Sequence, residues 1–208
     1  MNILDPNIES YLYDVIPDRD AVLTEMEKYA EKNNFPIVGP LVGRFLYVIT
    51  LAVNAKRILE LGSGFGYSAY WFAKAVGKDG IVLCTDSNPE YADKAREYFK
   101  KGRISNRMQF HVSDALSVFN ILEGEFDIIF NDVNKEIYPK VLRKALPRLK
   151  KGGLLISDNA FCNGKILEKN PDASAAGVLT YTRMAYASRE LFNTIVPIRD
   201  GLIVSVKL

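Results

Sequence analysis

Oxygen-bearing side chains follow two apolar segments in the second half of the sequence. Asp132 ends the segment Phe126–Asp132, Asp158 ends the segment Leu154–Asp158, and Asn159 comes next. If these segments are neighbouring parallel strands, their carboxyl ends meet at one edge of the sheet. Hard oxygen ligands suit Mg²⁺, or Mn²⁺ or Ca²⁺, better than zinc. The pattern predicts a divalent-metal site at Asp132, Asp158 and Asn159, although each residue alone is also an ordinary polar strand end.

A glycine-rich turn precedes these segments in the chain. Gly62, Gly64 and Gly66 directly follow the apolar segment Arg57–Leu61. Glycines in this place let the backbone approach a ligand at the carboxyl end of the sheet. Asp86 lies 24 residues after Gly62, near the spacing of about 20 residues at which an acid hydrogen-bonds a ribose. The turn and the acid together predict a nucleotide-like ligand.

Two neighbours of the turn indicate the type of ligand. The dinucleotide fingerprint G-x-G-x-x-G has its third glycine where this chain has Tyr67, which disfavours an NAD-linked oxidoreductase. Glu60 places a negative charge just before the turn, where it suits a cation better than a pyrophosphate. S-adenosylmethionine carries a sulfonium and an ammonium group and no phosphate, so it is the expected cofactor. The alternative is a tight strand-to-helix turn that binds nothing.

Alternating short apolar and longer amphipathic segments must position these residues. From about residue 56 they predict βα units on a parallel sheet. Asn88-Pro89 marks a helix start, and Gly152-Gly153 is expected to end a helix and lead into the last parallel strand. Two β-rich segments joined across Asp200-Gly201 predict a closing antiparallel hairpin. The expected strands are Arg57–Leu61, Ile81–Asp86, Met108–Ser113, Phe126–Asp132, Leu154–Asp158, Phe192–Pro197 and Leu202–Val206. The expected helices are Arg19–Asn33, Val42–Val53, Tyr67–Val76, Pro89–Lys101, Ala115–Leu122 and Tyr138–Leu149.

Composition excludes several classes of protein. The 208 residues are 48% hydrophobic and 25% charged, with a net charge of +2, which excludes wholesale disorder and offers no polycation for nucleic acid. Two cysteines and one histidine exclude a disulfide framework and a two-histidine zinc site. The N-terminus shows no secretory pattern, and glycines, prolines and an arginine interrupt the apolar stretch 36–55. A cytoplasmic protein without membrane or nucleic-acid partners is expected.

Three segments resemble the cofactor motifs of class I methyltransferases. They are Glu60-Leu-Gly-Ser-Gly-Phe-Gly-Tyr-Ser, Thr85-Asp-Ser-Asn-Pro and Ser113-Asp-Ala. The resemblance implies that Glu60 and Gly62 line the methionine end of S-adenosylmethionine, with Gly64 and Gly66 in the same turn and Ser68 helping to hold it. It also implies that Asp86 takes the ribose, that Asp114 and Ala115 flank the adenine, and that Asp132 borders the cofactor.

The strand ends resemble those of the divalent-metal-dependent caffeoyl-CoA and catechol O-methyltransferases. By this resemblance Asp132, Asp158 and Asn159 are the metal ligands and Lys135 is the catalytic base that receives the proton of a phenol. The resemblance covers residues 36–208 and includes the loop after Asp158 and the closing hairpin. Asn134 stands where many bacterial members have an acid. The family implies a homodimer that methylates a hydroxyl of a small catechol-like aromatic.

The expected fold is therefore a single open, doubly wound, Rossmann-like α/β domain over residues 1–208, mostly parallel with a C-terminal antiparallel hairpin. Residues 1–55 form its helical N-terminal extension and residues 56–208 its cofactor-binding core. Alternatives remain open: a metal-independent methyltransferase, a non-catalytic cofactor-binding protein, and, less favoured by the charge, an RNA methyltransferase.

Overall fold

The computed structural model describes residues 3–208; Met1 and Asn2, the first residues of the predicted N-terminal extension, lie outside the described residues. A seven-stranded sheet runs through it in the order β3-β2-β1-β4-β5-β7-β6. The first five strands pair in parallel, and β7 and β6 join them antiparallel. The predicted mixed sheet is confirmed. The strands are β1 (Arg57–Leu61), β2 (Ile81–Asp86), β3 (Met108–Val112), β4 (Phe126–Asn131), β5 (Leu149–Ser157), β6 (Leu191–Val196) and β7 (Leu202–Lys207).

Helices cover both faces of the sheet. They are α1 (Pro6–Val15), α2 (Ala21–Lys32), α3 (Gly39–Ala52), α4 (Tyr67–Ala75), α5 (Pro89–Lys101), α6 (Val118–Ile121), α7 (Tyr138–Ala145) and α8 (Ala173–Ala187). Asn88 caps α5 as predicted, because its side chain accepts a hydrogen bond from the backbone of Glu90 at 2.9 Å. No helix within residues 3–208 is long and apolar enough to cross a membrane.

The side chains of each strand alternate between the two faces of the sheet, and the core is therefore divided into two layers. Ile58 of β1 packs with α2–α5 on one face, whereas Leu59 and Leu61 pack with α6–α8 on the other. Successive side chains of a strand point to opposite faces, so Glu60 shares the face of Ile58. Its partners across the sheet are Cys84 of β2 and Phe130 of β4. A carboxyl group therefore lies in a row of apolar side chains.

The predicted role of Gly152-Gly153 is wrong. Helix α7 ends at Ala145, and the next three residues form a 3-10 turn because Pro147 has no amide hydrogen to continue the helix. Both glycines lie within β5, where the register against β4 shifts. They form an irregularity in a strand rather than a helix end.

Helix α6 is shorter than the predicted Ala115–Leu122. The side chain of Asp114 accepts hydrogen bonds from the backbone of Leu116 and of Ser117, both at 3.0 Å. These bonds cap a turn over residues 115–117 in the manner of an N-cap side chain, and the regular helix begins only at Val118. Helices α1 and α8 were not predicted from the sequence.

Candidate functional site

One cavity of about 780 Å³ opens at the carboxyl ends of β1, β2, β4 and β5. The order of the strands reverses at β1, and open α/β sheets bind ligands at such a switch point. The cavity brings together ten of the twelve predicted site residues: Gly62, Gly64, Ser68, Asp86, Asp114, Ala115, Asp132, Lys135, Asp158 and Asn159. Glu60 and Gly66 are not among its lining residues.

The glycine turn brings β1 close to the end of β4. Gly62 has a φ of 81°, and a Cβ built on it would overlap the carbonyl oxygen of Asp132. The backbone amide of Asp132 donates to the carbonyl of Leu61 at 3.0 Å, which locks the two segments together. Only glycine combines this backbone conformation with this close approach. Gly66, with a φ of 88°, starts α4 and contacts Ala95 instead of the cavity.

Asp86, at the end of β2, lines the cavity beside the glycine turn. One of its carboxylate oxygens accepts a hydrogen bond from the backbone of Gly64 at 3.0 Å, and the other accepts from the backbone of Asn88 at 2.9 Å. The side chain thereby ties the glycine turn to the start of α5. Each carboxylate oxygen can accept a further hydrogen bond, so the group remains able to receive ligand hydroxyls from the cavity.

Glu60 lies beneath the turn and is fully buried. Within the described residues neither oxygen of its carboxyl group accepts a well-formed hydrogen bond. Burial raises its pKa from 4.5 to about 7; the neighbouring hydroxyls of Ser68 and Ser63 oppose this rise, and the charges of Asp132 and Asp86 add to it. The fold therefore buries an ionisable carboxyl group directly beneath the glycine turn.

Asp132, Lys135 and Asp158 form a charged cluster at the ends of β4 and β5. The Lys135 ammonium donates to Asp132 Oδ1 at 2.8 Å, and both side chains are partly buried. Burial raises the pKa of Asp158, and the negative charge of Asp132 raises it further, while Lys135 and Arg199 lower it. The two carboxylates are thus close enough to repel each other.

A buried hydroxyl network supports this cluster from below. Tyr138 donates to the backbone carbonyl of Asp158 at 3.0 Å, and its ring lies 5.5 Å from the ammonium of Lys135. Asn131 donates to the hydroxyl of Ser157 at 3.1 Å, which in turn donates to Tyr181 at 2.8 Å. These bonds join the ends of β4 and β5 to α7 and α8, and so they hold the two strand ends that carry Asp132 and Asp158.

Asn159 follows β5 in a left-handed conformation with a φ of 56°. Its side-chain amide donates to Asp200 Oδ2 at 3.1 Å. Within residues 3–208 no group of three or more His, Cys, Asp or Glu is arranged to hold a metal ion. The predicted metal ligands are not a group of this kind, because one of the three, Asn159, would bind through an amide and only Asp132 and Asp158 are carboxylates.

Sequence reasoning missed the residues that close the cavity from the N-terminal extension and the hairpin. Phe35, Ile37 and Glu9 line one side, and Arg199 and Asp200 line another. The guanidinium of Arg199 donates to the carbonyl of Ile37 at 2.6 Å and thereby joins the two sides. The sequence predicts Asp200 only as part of the hairpin turn. The sequence carries no signal for these contacts, because they join segments more than 150 positions apart.

Comparisons with known proteins agree on one family. A family model described as O-methyltransferase matches residues 15–208. A catechol O-methyltransferase of Niastella koreensis is 29% identical and covers 93% of this chain and 91% of its own length. A caffeoyl-CoA O-methyltransferase of Medicago sativa is 28% identical over 81% of this chain and 71% of its own. The crystal structure of an O-methyltransferase from Bacillus cereus in complex with SAH is 25% identical with a TM-score of 0.89, covering 97% of both chains.

Proposed function

The chain belongs to the O-methyltransferase family, and we propose that it transfers a methyl group from S-adenosylmethionine to a hydroxyl of a small catechol-like aromatic with the help of a divalent cation. One observation carries the proposal: the predicted cofactor residues and the two carboxylates with their lysine line the same cavity. A methyl donor and an acceptor hydroxyl could therefore meet there without a change of fold.

The donor chemistry of the cavity fits S-adenosylmethionine. SAH, the ligand named for the Bacillus cereus structure, is S-adenosylhomocysteine, which remains after S-adenosylmethionine has lost its methyl group. When bound, S-adenosylmethionine supplies an electrophilic methyl group on a sulfonium. Asp86 offers acceptor positions for ribose hydroxyls, and the unpaired buried carboxyl of Glu60 favours a positively charged ligand nearby. Asp114 and Ala115 lie beside this part of the cavity and would flank the adenine.

The residues at the strand ends also fit a divalent cation. Burial and, after it, the negative charge of Asp132 raise the pKa of Asp158, and a cation between the two carboxylates would favour their ionised forms. Asn159 can add a neutral oxygen. When bound, Mg²⁺ or a similar ion favours the oxyanion form of a nearby hydroxyl. We propose Asp132, Asp158 and Asn159 as its ligands.

Lys135 is the proposed base. A phenol such as the tyrosine side chain has a pKa near 10, so little of its reactive oxyanion exists at neutral pH. The amine of Lys135 lies 2.8 Å from Asp132, close enough to reach a hydroxyl bound beside that carboxylate. In the overall reaction Lys135 acts as a neutral amine: its nitrogen takes the hydroxyl proton and becomes an ammonium, the new O–CH₃ bond forms, and the S–CH₃ bond breaks to leave a neutral thioether.

The preference for two adjacent hydroxyls follows from this arrangement. A vicinal diol could place one oxygen beside Lys135 while the second is held at the strand ends. A monophenol could satisfy only one of these positions. We therefore propose catechol-type rings as the acceptor class, and we expect a lone phenol to react more slowly.

Methyl transfer from radiolabelled S-adenosylmethionine tests the proposal directly. We expect methylated product from catechol with Mg²⁺, much less from phenol, and a loss of turnover after chelation that added Mg²⁺ restores. Full turnover in a chelated sample checked for residual metal would contradict the metal, although the enzyme would remain a methyltransferase. No transfer to any catechol, with SAH binding intact, would contradict the acceptor class.

A further inference from the structure

We propose that Asp200 is a positioning residue that fixes the side-chain amide of Asn159 with its oxygen available to the metal. The inference rests on the proposed function, because it concerns one of the proposed metal ligands. Asp200 belongs to the hairpin between β6 and β7, whereas Asn159 follows β5, 41 positions earlier. The contact therefore depends on the tertiary structure.

The hydrogen bond between these residues decides which end of the amide faces the cavity. An ionised carboxylate has only acceptors, whereas a primary amide has donors on its nitrogen and acceptors on its oxygen. Asp200 Oδ2 therefore takes the nitrogen of Asn159, at 3.1 Å. The amide oxygen is left on the opposite side. A rotation by 180° would set two oxygens against each other at Asp200 and present N–H donors to a cation.

The carboxylate of Asp200 is itself held in place. Its second oxygen accepts a hydrogen bond from the backbone amide of Asn163 at 2.7 Å. The backbones of the two loops are also joined, since Ala160 donates to the carbonyl of Gly201 and Phe161 to that of Asp200, both at 2.9 Å. The side chain has little freedom to turn away, so it presents a fixed acceptor to the amide.

The backbone of the ligand loop shows why such a contact is needed. Asn159 and Asn163 adopt left-handed conformations with φ of 56° and 55°, and the exposed side of Asn159 faces a cavity. Asn159 itself lies outside the regular backbone of a helix or strand. Groups behind metal ligands typically set ligand orientation in this way, and their loss costs about 10- to 100-fold in affinity or activity.

The direct test is Mn²⁺ affinity, measured by calorimetry on the whole protein without S-adenosylmethionine. The substitution Asp200→Asn keeps the size of the side chain but lets it face the amide of Asn159 with either a donor or an acceptor. We expect Mn²⁺ binding to weaken about 10- to 100-fold with little change in melting temperature. Glu123→Gln is the control, because it removes one carboxylate at an exposed position that does not line the cavity, and it should change the affinity less than about threefold.

A double-mutant cycle separates positioning from a general loss of charge. Asn159→Gly removes the amide and suits the left-handed backbone. If Asp200 acts through the amide, Asp200→Asn should weaken Mn²⁺ binding in the parent protein and have almost no further effect in the Asn159→Gly protein. Equal losses in both backgrounds, or Mn²⁺ affinity unchanged by Asp200→Asn, would overturn the inference and leave the metal site intact. Failure of the parent protein to bind Mn²⁺ would instead overturn the proposed metal site, and this inference with it.

Discussion

Replacing Glu60 by glutamine should change how the stability of the ligand-free protein depends on pH. Burial raises the pKa of this carboxyl from 4.5 to about 7 in the folded protein. The folded state therefore binds the proton more tightly than the unfolded state does. The stability that the protonated Glu60 contributes is fully present below pH 4.5, and it is lost as the pH rises through about 7. Glutamine has a similar shape and never ionises, so Glu60→Gln should remove this part of the pH dependence.

The size of the effect follows from the shift. One pKa unit corresponds to about 1.4 kcal/mol, so a rise from 4.5 to about 7 corresponds to about 3 kcal/mol between the two ends of the window. Asp158 has a raised pKa as well and changes stability in the same direction. That contribution is common to both proteins, so it cancels when their pH slopes are compared.

Urea unfolding at pH 5, 6, 7 and 8, in the presence of chelator and without cofactor, measures the slopes. We expect the free energy of unfolding of the parent protein to fall more steeply with pH than that of Glu60→Gln, by about 2–3 kcal/mol across the range. Glu123→Gln, at an exposed position, is the control and should keep the parent slope. Identical slopes for Glu60→Gln and the parent would show that Glu60 does not carry this proton, and the reasoning from its burial would be wrong.

Three further outcomes test the site. Calorimetry should show that Asp86→Ala weakens SAH binding by about 1.5–3 kcal/mol, the cost of losing a hydrogen bond to a charged group; unchanged affinity would remove Asp86 from the cofactor site. Lys135→Ala should lower turnover of catechol by about 10²-fold or more, as is typical of a lost general base, while SAH binding is preserved. Near-normal turnover would show that the hydroxyl is activated without Lys135. In urea unfolding, Gly62→Ala should lower the free energy of unfolding by at least about 1 kcal/mol more than Gly77→Ala does. Both glycines have a positive φ, but only Gly62 lies against Asp132. Equal losses would argue against the close approach of β1 and β4.

Local patterns in the sequence were sufficient to predict the strands of the sheet and many of the residues that line the cavity. Strands alternate and helices repeat over a few residues, so the bounds of β1, β2 and α5 could be predicted and match the structure. Once the strands are parallel, the residues that end them must meet at one edge. This is why Asp86, Asp132 and Asp158 could be predicted to lie at the same edge of the sheet.

Other features depended on segments that the sequence does not relate to one another. The row of apolar partners around Glu60 belongs to neighbouring strands, so its burial and raised pKa followed only from the packed sheet. Asp200 reaches Asn159, and Arg199 reaches Ile37, across turns whose left-handed conformations no local pattern predicted. The residues that lie at the strand ends could thus be predicted from the sequence, because the ends of strands follow from local periodicity. The orientation and charge state of their side chains were decided by long-range packing, because burial and hydrogen-bond partners arise only when distant segments meet.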